Sequence, residues 1–248
     1  MNTNTARNIT KIVTANPSTR GTGFKTFSVG QQQFGSIIQP FIQLDNYFMT
    51  QPTFSEHPHK GVAAVTYMFE DSEGTFFNKD SQGDESYIRP GDLHWTQAGT
   101  GIRHNETPIE PGKVCHGIQM FVDLTPEDKL ASAKALHLKS ADIPVYTTPE
   151  GSRVRVVIGV ANGLISPLNI SNKISFLDVM ISANSSIEHQ VTAHEIAFIL
   201  AIAGSGSIGD NVLQAQTGAL FGTEGDLLDV RSGADGFQYI LCISSIDN

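Results

Sequence analysis

Two short segments carry residues whose types and spacing suit metal chemistry. His57-Pro58-His59 is followed, 45 residues after His59, by His104-Asn105-Glu106. In an extended strand, residues i and i+2 point to one face, so each segment aims two side chains into one space. Three imidazoles and one carboxylate suit a first-row transition metal such as Fe, Mn, Ni, Cu or Zn. Ligation by His57, His59, His104 and Glu106 leaves two positions open on an octahedral ion, which is what substrate or dioxygen chemistry needs. Pro58 lacks an amide donor and belongs at the start or edge of a strand. It stiffens the chain between two ligands and so reduces the ordering entropy that a metal must overcome.

His94 is the competing ligand, placed just after the turn Pro90-Gly91-Asp92. His104 is preferred because its i+2 carboxylate repeats the geometry of the first pair. His94 then becomes a pocket-wall residue or a partner of the ligands. His116 reads as a partly buried, hydrogen-bonded histidine, and His137 as a cation at the end of a helix, where it is favourable. Trp95 alternates with His94 and reads as core. Phe54, Phe69, Phe76, Phe77, Met68 and Met120 could line an apolar pocket, with the core as the default for most. No basic neighbour marks Cys115 as reactive. The sequence contains no nucleophile elbow, P-loop, dinucleotide fingerprint or CxxC.

These residues need strands to position them, and the chain supplies the pattern. Strand signals recur at residues 36–44, 62–70, 75–79, 87–89 and 118–124, then at 153–160, 174–181, 196–203 and 237–244. Turns such as Asp71-Ser72-Glu73-Gly74 and Ser81-Gln82-Gly83-Asp84 separate them. This is the rhythm of an all-β barrel or sandwich. One helix is predicted over 127–136, capped by Thr125, opened by Pro126 and acidic at Glu127 and Asp128. Residues up to about Thr19 read as loosely structured. The second half echoes the first: Gly91-Asp92-Leu93 and Gly99 match Gly225-Asp226-Leu227 and Gly233 at a constant offset of 134. The expected domains are therefore 1–124, a metal-binding barrel; 125–147, a connecting helix and linker; and 148–248, a second barrel. Carried across the repeat with one inserted residue, His104 falls on Tyr239 and Glu106 on Leu241, so the second barrel is expected to bind no metal. His189 and His194, five apart, would face opposite sides of a regular strand.

Composition bounds the rest. The chain has 248 residues, is 40% hydrophobic and 17% charged, and carries a formal charge of −9. That charge argues against a nucleic-acid surface, which needs Lys and Arg, and against anionic membranes. No apolar run is long enough to span a membrane, and the N-terminal segment lacks the apolar core of a signal peptide. Two cysteines, Cys115 and Cys242, suggest no disulfide framework. A reducing compartment, most simply the cytoplasm, follows.

At these same residues the chain resembles the pirin family of the cupin superfamily. The matching segments are Pro40-Phe41-Ile42-Gln43-Leu44-Asp45, His57-Pro58-His59-Lys60-Gly61, Val65-Thr66-Tyr67-Met68, Pro90-Gly91-Asp92-Leu93, Ala98-Gly99-Thr100-Gly101-Ile102, His104-Asn105-Glu106 and Gly117-Ile118-Gln119-Met120-Phe121-Val122-Asp123-Leu124. The resemblance implies two cupin (jelly-roll-like) β-barrels in tandem with a short connecting helix. It also implies one mononuclear iron, Fe(II), held in the N-terminal barrel by His57, His59, His104 and Glu106. It places a glutamine where His94 stands. The chain departs from the family pattern at Lys60, Gly61, Val62, Ala63 and Ala64, which alters the strand beside the metal, and it ends at Asn248 without the usual C-terminal extension.

The resemblance implies two functions. One is a metal-dependent dioxygenase of the quercetin 2,3-dioxygenase type, acting on a small flavonol-like aromatic substrate and dioxygen, with Glu106 as ligand and general base. The other is a non-enzymatic, iron-dependent, redox-responsive regulator that binds a protein partner. The donor set alone also admits an isomerase or hydrolase that uses Zn as a Lewis acid.

Overall fold

The computed structural model describes residues 5–246. The first four and last two residues, which the expected boundaries 1–124 and 148–248 took in, lie outside the described residues. The chain divides into two compact units. One takes residues 16–31 and 39–142. The other takes residues up to 15, residues 32–38 and residues from 143 onward.

The first unit is built on a seven-stranded sheet. Its spatial order is Lys134–Leu138, Leu93–Gln97, Val62–Met68, Cys115–Asp123, Phe41–Met49, Phe24–Gly30 and Asn16–Arg20. A four-stranded sheet accompanies it, in the order His57–His59, Ile102–Pro108, Phe76–Asp80 and Glu85–Ile88. Neighbouring strands in both sheets pair antiparallel. The alternation that marked these strands sorts side chains to two faces. In Phe41–Met49, Gln43, Asp45, Tyr47 and Met49 turn to the cavity described below. Gly117 is glycine because of close approach: a Cβ there would stand 2.1 Å from the Tyr67 carbonyl oxygen and 2.7 Å from the Tyr47 hydroxyl.

The second unit is a nine-stranded sheet with Glu195–Ile208 and Leu227–Ser245 as its long central pair. Its core includes Val156, Leu177, Ile199, Leu213, Phe237 and Tyr239, all buried. The strand Ile9–Thr14 pairs with Thr217–Phe221. The echo between the halves has a backbone basis: Gly91 and Gly225 both have positive φ, at 83° and 104°, immediately before a strand. Only glycine takes that conformation without steric cost.

The all-β class holds, with sheets that are open at their edges. Three local expectations do not, the first being the strand expected over 36–44, which opens only at Phe41 because Ser36–Ile38 forms a 3-10 helix. The helix predicted over 127–136 stops early, spanning Pro126–Leu130, after which Ala131 is extended. Its cap forms as expected, with Thr125 Oγ1 accepting from the Asp128 amide at 3.2 Å. Beyond it, Lys134–Leu138 pairs with Leu93–Gln97 instead. Pairing with a sheet edge overrides a helix propensity of a few tenths of a kcal/mol per residue. The expected connecting segment 125–147 thus contributes a helix and a strand to the first unit. Among the described residues, the N-terminal stretch forms the strands Ile9–Thr14 and Asn16–Arg20 instead of loose chain. Arg7, 2% exposed, donates from Nη1 to the Glu195 carbonyl at 2.7 Å, from Nη2 to the Thr192 carbonyl at 2.5 Å and from Nε to the Gly225 carbonyl at 3.1 Å.

Candidate metal centre

The register of the first unit brings the two segments together. Ile102–Pro108 pairs antiparallel with His57–His59, with His104 opposite His57. Directly opposed residues share a face, so His57, His59 and His104 converge. Their ring centroids lie 4.8, 4.9 and 4.9 Å apart. His59 Nε2 and His104 Nε2 are 3.1 Å apart. His57 donates from Nδ1 to the Ser55 carbonyl at 3.0 Å, which leaves its Nε2 lone pair available. A metal-bound imidazole is ordinarily oriented through its second nitrogen in this way. Burial, with the neighbouring histidine charges second, holds His59 down at about 4 and His104 at about 3. Both rings are therefore neutral at pH 7, the state that ligates metal.

Glu106 lies on the same strand face as His104. Its Oε2 accepts from the Thr66 hydroxyl at 2.6 Å, while Oε1 is buried and has no hydrogen-bond partner. Desolvation raises its pKa to about 7, opposed by the Thr66 bond. A buried carboxylate oxygen without a donor is costly, and a cation is what would relieve it. His57, His59 and His104 present donor atoms within 4.8 Å of one another, a set that suits a first-row metal ion, whereas Glu106, with one uncommitted oxygen, lines the same cavity but falls outside that cluster.

The four residues line a cavity of about 350 Å³. Phe24, Tyr47, Met49, Phe54, Phe76 and Phe121 form its apolar wall, and Thr26, Ser28, Gln43, Asp45 and Gln119 its polar wall. Of the pocket candidates read from sequence, Phe54 and Phe76 line the cavity. Phe69, Met68 and Met120 are core, and Phe77 packs on Tyr87. The polar wall escaped sequence reading, although its signal was present: Gln43, Asp45 and Gln119 recur at strand period within otherwise apolar runs. Asp45 accepts from the Gln43 amide at 2.7 and 2.9 Å. Burial raises its pKa against hydrogen bonds from Ser28 and Gln43.

The other histidines find distinct settings. Trp95 is fully buried, as expected of a core residue. His94 is also fully buried, but it does not line the cavity. Its Nδ1 meets His137 Nδ1 at 3.0 Å. His137 ends no helix; it lies on the strand Lys134–Leu138, opposite His94. His116 Nε2 bonds Asn46 Oδ1 at 2.9 Å, and the ring stacks on Phe48. In the second unit, His189 Nε2 bonds the Tyr239 hydroxyl at 2.7 Å.

The chain is similar to several known proteins. The pirin family model matches residues 10–122. A pirin-like protein of Arabidopsis thaliana is 34% identical over 217 residues, covering 84% of this chain and 68% of the relative. Among solved structures, a quercetin 2,3-dioxygenase from Acinetobacter baumannii superposes with a TM-score of 0.86 at 22% identity, covering 98% of this chain and 88% of that one. The bacterial pirin YhhW from Escherichia coli, solved in complex with nickel(II), gives a TM-score of 0.74 at 16% identity, covering 95% and 99%. At these identities the two structures establish a shared fold.

Proposed function

The chain belongs to the pirin family, and from that premise we propose that it is a metal-dependent dioxygenase of the quercetin 2,3-dioxygenase type, acting on flavonol-like aromatic substrates. One observation carries the reading. Glu106, with an uncommitted Oε1, lines the same cavity as His57, His59 and His104, together with the aromatic rings of Phe24, Phe54, Phe76 and Phe121. His57, His59, His104 and Glu106 are the residues that would hold the metal, with Fe(II) the preferred ion. When bound, such an ion lowers the pKa of a coordinated hydroxyl and brings substrate and dioxygen together.

The protein's own residues do the remaining work. Glu106 takes the proton of the substrate enol, and the Thr66 hydroxyl orients its carboxylate. Phe24, Phe54, Phe76 and Phe121 receive the aromatic rings and exclude water. Gln43, Asp45 and Gln119 offer partners to the ring hydroxyls. The chemistry is assigned to the first unit. The second unit is read as structural, because in the sequence repeat Tyr239 and Leu241 fall where His104 and Glu106 stand. No helix among the described residues is long and apolar enough to cross a membrane. The two cysteines are free and buried, which supports a reducing, cytoplasmic setting.

The test is anaerobic reconstitution with Fe(II), followed by oxygen uptake with and without quercetin, in the wild type and in Glu106→Gln. Substrate-dependent uptake that Glu106→Gln abolishes is the expected result. Iron bound without uptake would overturn the quercetinase reading and favour a redox-responsive partner-binding protein.

A further inference from the structure

A second cluster of metal-ligating side chains lies apart from the first. Asp84, His94 and His137 each present a donor atom within 4.8 Å of the others. They come from the turn before Glu85–Ile88, from Leu93–Gln97 and from the edge strand Lys134–Leu138. His94 and His137 are directly opposed across their strand pair. Their Nδ1 atoms are 3.0 Å apart, nearly the separation of the two Nε2 atoms in the first cluster. Two ligand nitrogens on a tetrahedral ion with bonds of about 2.0–2.1 Å would stand at roughly that spacing.

The remote nitrogens carry the argument further. His94 Nε2 lies 2.9 Å from the Thr96 hydroxyl, and His137 Nε2 lies 3.0 Å from Asp84 Oδ1. Asp84 is itself held, with its Oδ2 accepting from Asn78 Nδ2 at 2.9 Å and from the Ser86 hydroxyl at 2.8 Å. Each ring can thus be neutral, donate from Nε2 to an oxygen and turn its Nδ1 lone pair toward the other ring. A carboxylate behind a histidine is the arrangement that orients metal-bound imidazoles. His94 is closed from solvent, whereas the His137 side chain is 27% exposed, which gives an ion a way in.

We propose that His94 and His137 bind a second divalent, borderline-soft cation of the zinc class through their Nδ1 atoms. Asp84 fixes the His137 ring, and water fills the open side. Such an ion joins the two rings and staples the edge strand Lys134–Leu138 to the sheet. The site is independent of the first cluster and of any oxygenase activity.

The test is equilibrium dialysis of metal-free full-length protein against zinc, with bound zinc per chain read by mass spectrometry. Wild type should take up one more equivalent than His137→Gln, whose substitution lies at the exposed side and spares the buried core. The His57→Ala/His59→Ala variant should keep an equivalent that is lost when His137→Gln is added. Asp84→Asn should weaken that equivalent about 10- to 100-fold. Zinc should slow amide exchange across Lys134–Leu138 in wild type but not in His137→Gln. Equal stoichiometry in wild type and His137→Gln, or zinc-independent exchange in that strand, overturns the proposal.

Discussion

Replacing Glu106 with glutamine should stabilise the protein without metal at alkaline pH and weaken it when metal is present. The side chain's pKa moves from 4.5 to about 7 on folding, chiefly through desolvation. The unfolded chain therefore releases this proton near 4.5 and the folded chain near 7. Between those values the folded state holds more protons, so its stability falls as pH rises. At about 1.4 kcal/mol per pH unit, the charged carboxylate costs the metal-free fold about 3 kcal/mol above pH 7. Water in the adjoining cavity makes this an upper value. Glutamine keeps the shape and can still accept from Thr66, but it carries no charge.

Urea denaturation in EDTA at pH 5 and pH 8 measures the difference. The chain's single tryptophan, Trp95, is buried in the unit that contains the site and reports its unfolding. Glu106→Gln should gain about 2–3 kcal/mol over wild type between pH 5 and pH 8. With saturating nickel or Fe(II) the order should reverse, because the carboxylate then has a cation and the amide is the poorer ligand. Parallel pH dependence of the two proteins without metal would refute the desolvation argument. A stabilised variant that keeps full metal affinity would remove Glu106 from the ligand set.

Other outcomes test neighbouring features. Thr66→Val removes the donor to Glu106 Oε2; losing a bond worth about 1.5–3 kcal/mol to a charged group should push the Glu106 pKa up by roughly 1–2 units. The rising limb of the pH–activity profile should move by that much, and an unmoved limb would exclude Glu106 as the base. Burial holds His189 at about 4 instead of 6.5. Its contribution is complete above pH 6.5 and is lost as pH falls towards 4, so His189→Gln should recover about 3 kcal/mol of acid stability across that window. Circular dichroism titration of both proteins would show it, and identical acid limbs would count against it. Arg7→Met should cost about 2–4 kcal/mol in chemical denaturation, because three carbonyls lose a charged donor; an unchanged midpoint would mean that the N-terminal stretch adds nothing to stability. Gly117→Ala should give little folded protein, since its Cβ would overlap the Tyr67 carbonyl oxygen, and a normal yield with an unshifted melting temperature would contradict that packing.

The convergence of His57, His59 and His104 could be read from sequence because its information is local. A two-residue spacing on a strand fixes which side chains share a face whatever the rest of the fold does, and both pairs obeyed that rule. The helix at 127–136 misled for the opposite reason. Its cap and first turn were local and formed, but the residues after Leu130 met a vacant sheet edge, and pairing there outweighed helix propensity. His137 was misread with it: placed at a helix end, it looked like a favourable surface cation, whereas on the edge strand it faces His94.

The sequence by itself determined the strand alternation, the ligand types and the pairs on each strand, because side-chain direction along a strand depends only on backbone period. Tertiary structure alone decided which pairs meet. The antiparallel register sets His104 opposite His57 and His94 opposite His137. It also half-buries Glu106, closes its Oε1 off from solvent and raises its pKa. Register, burial and desolvation are sums over residues distant in sequence, and no local pattern contains them.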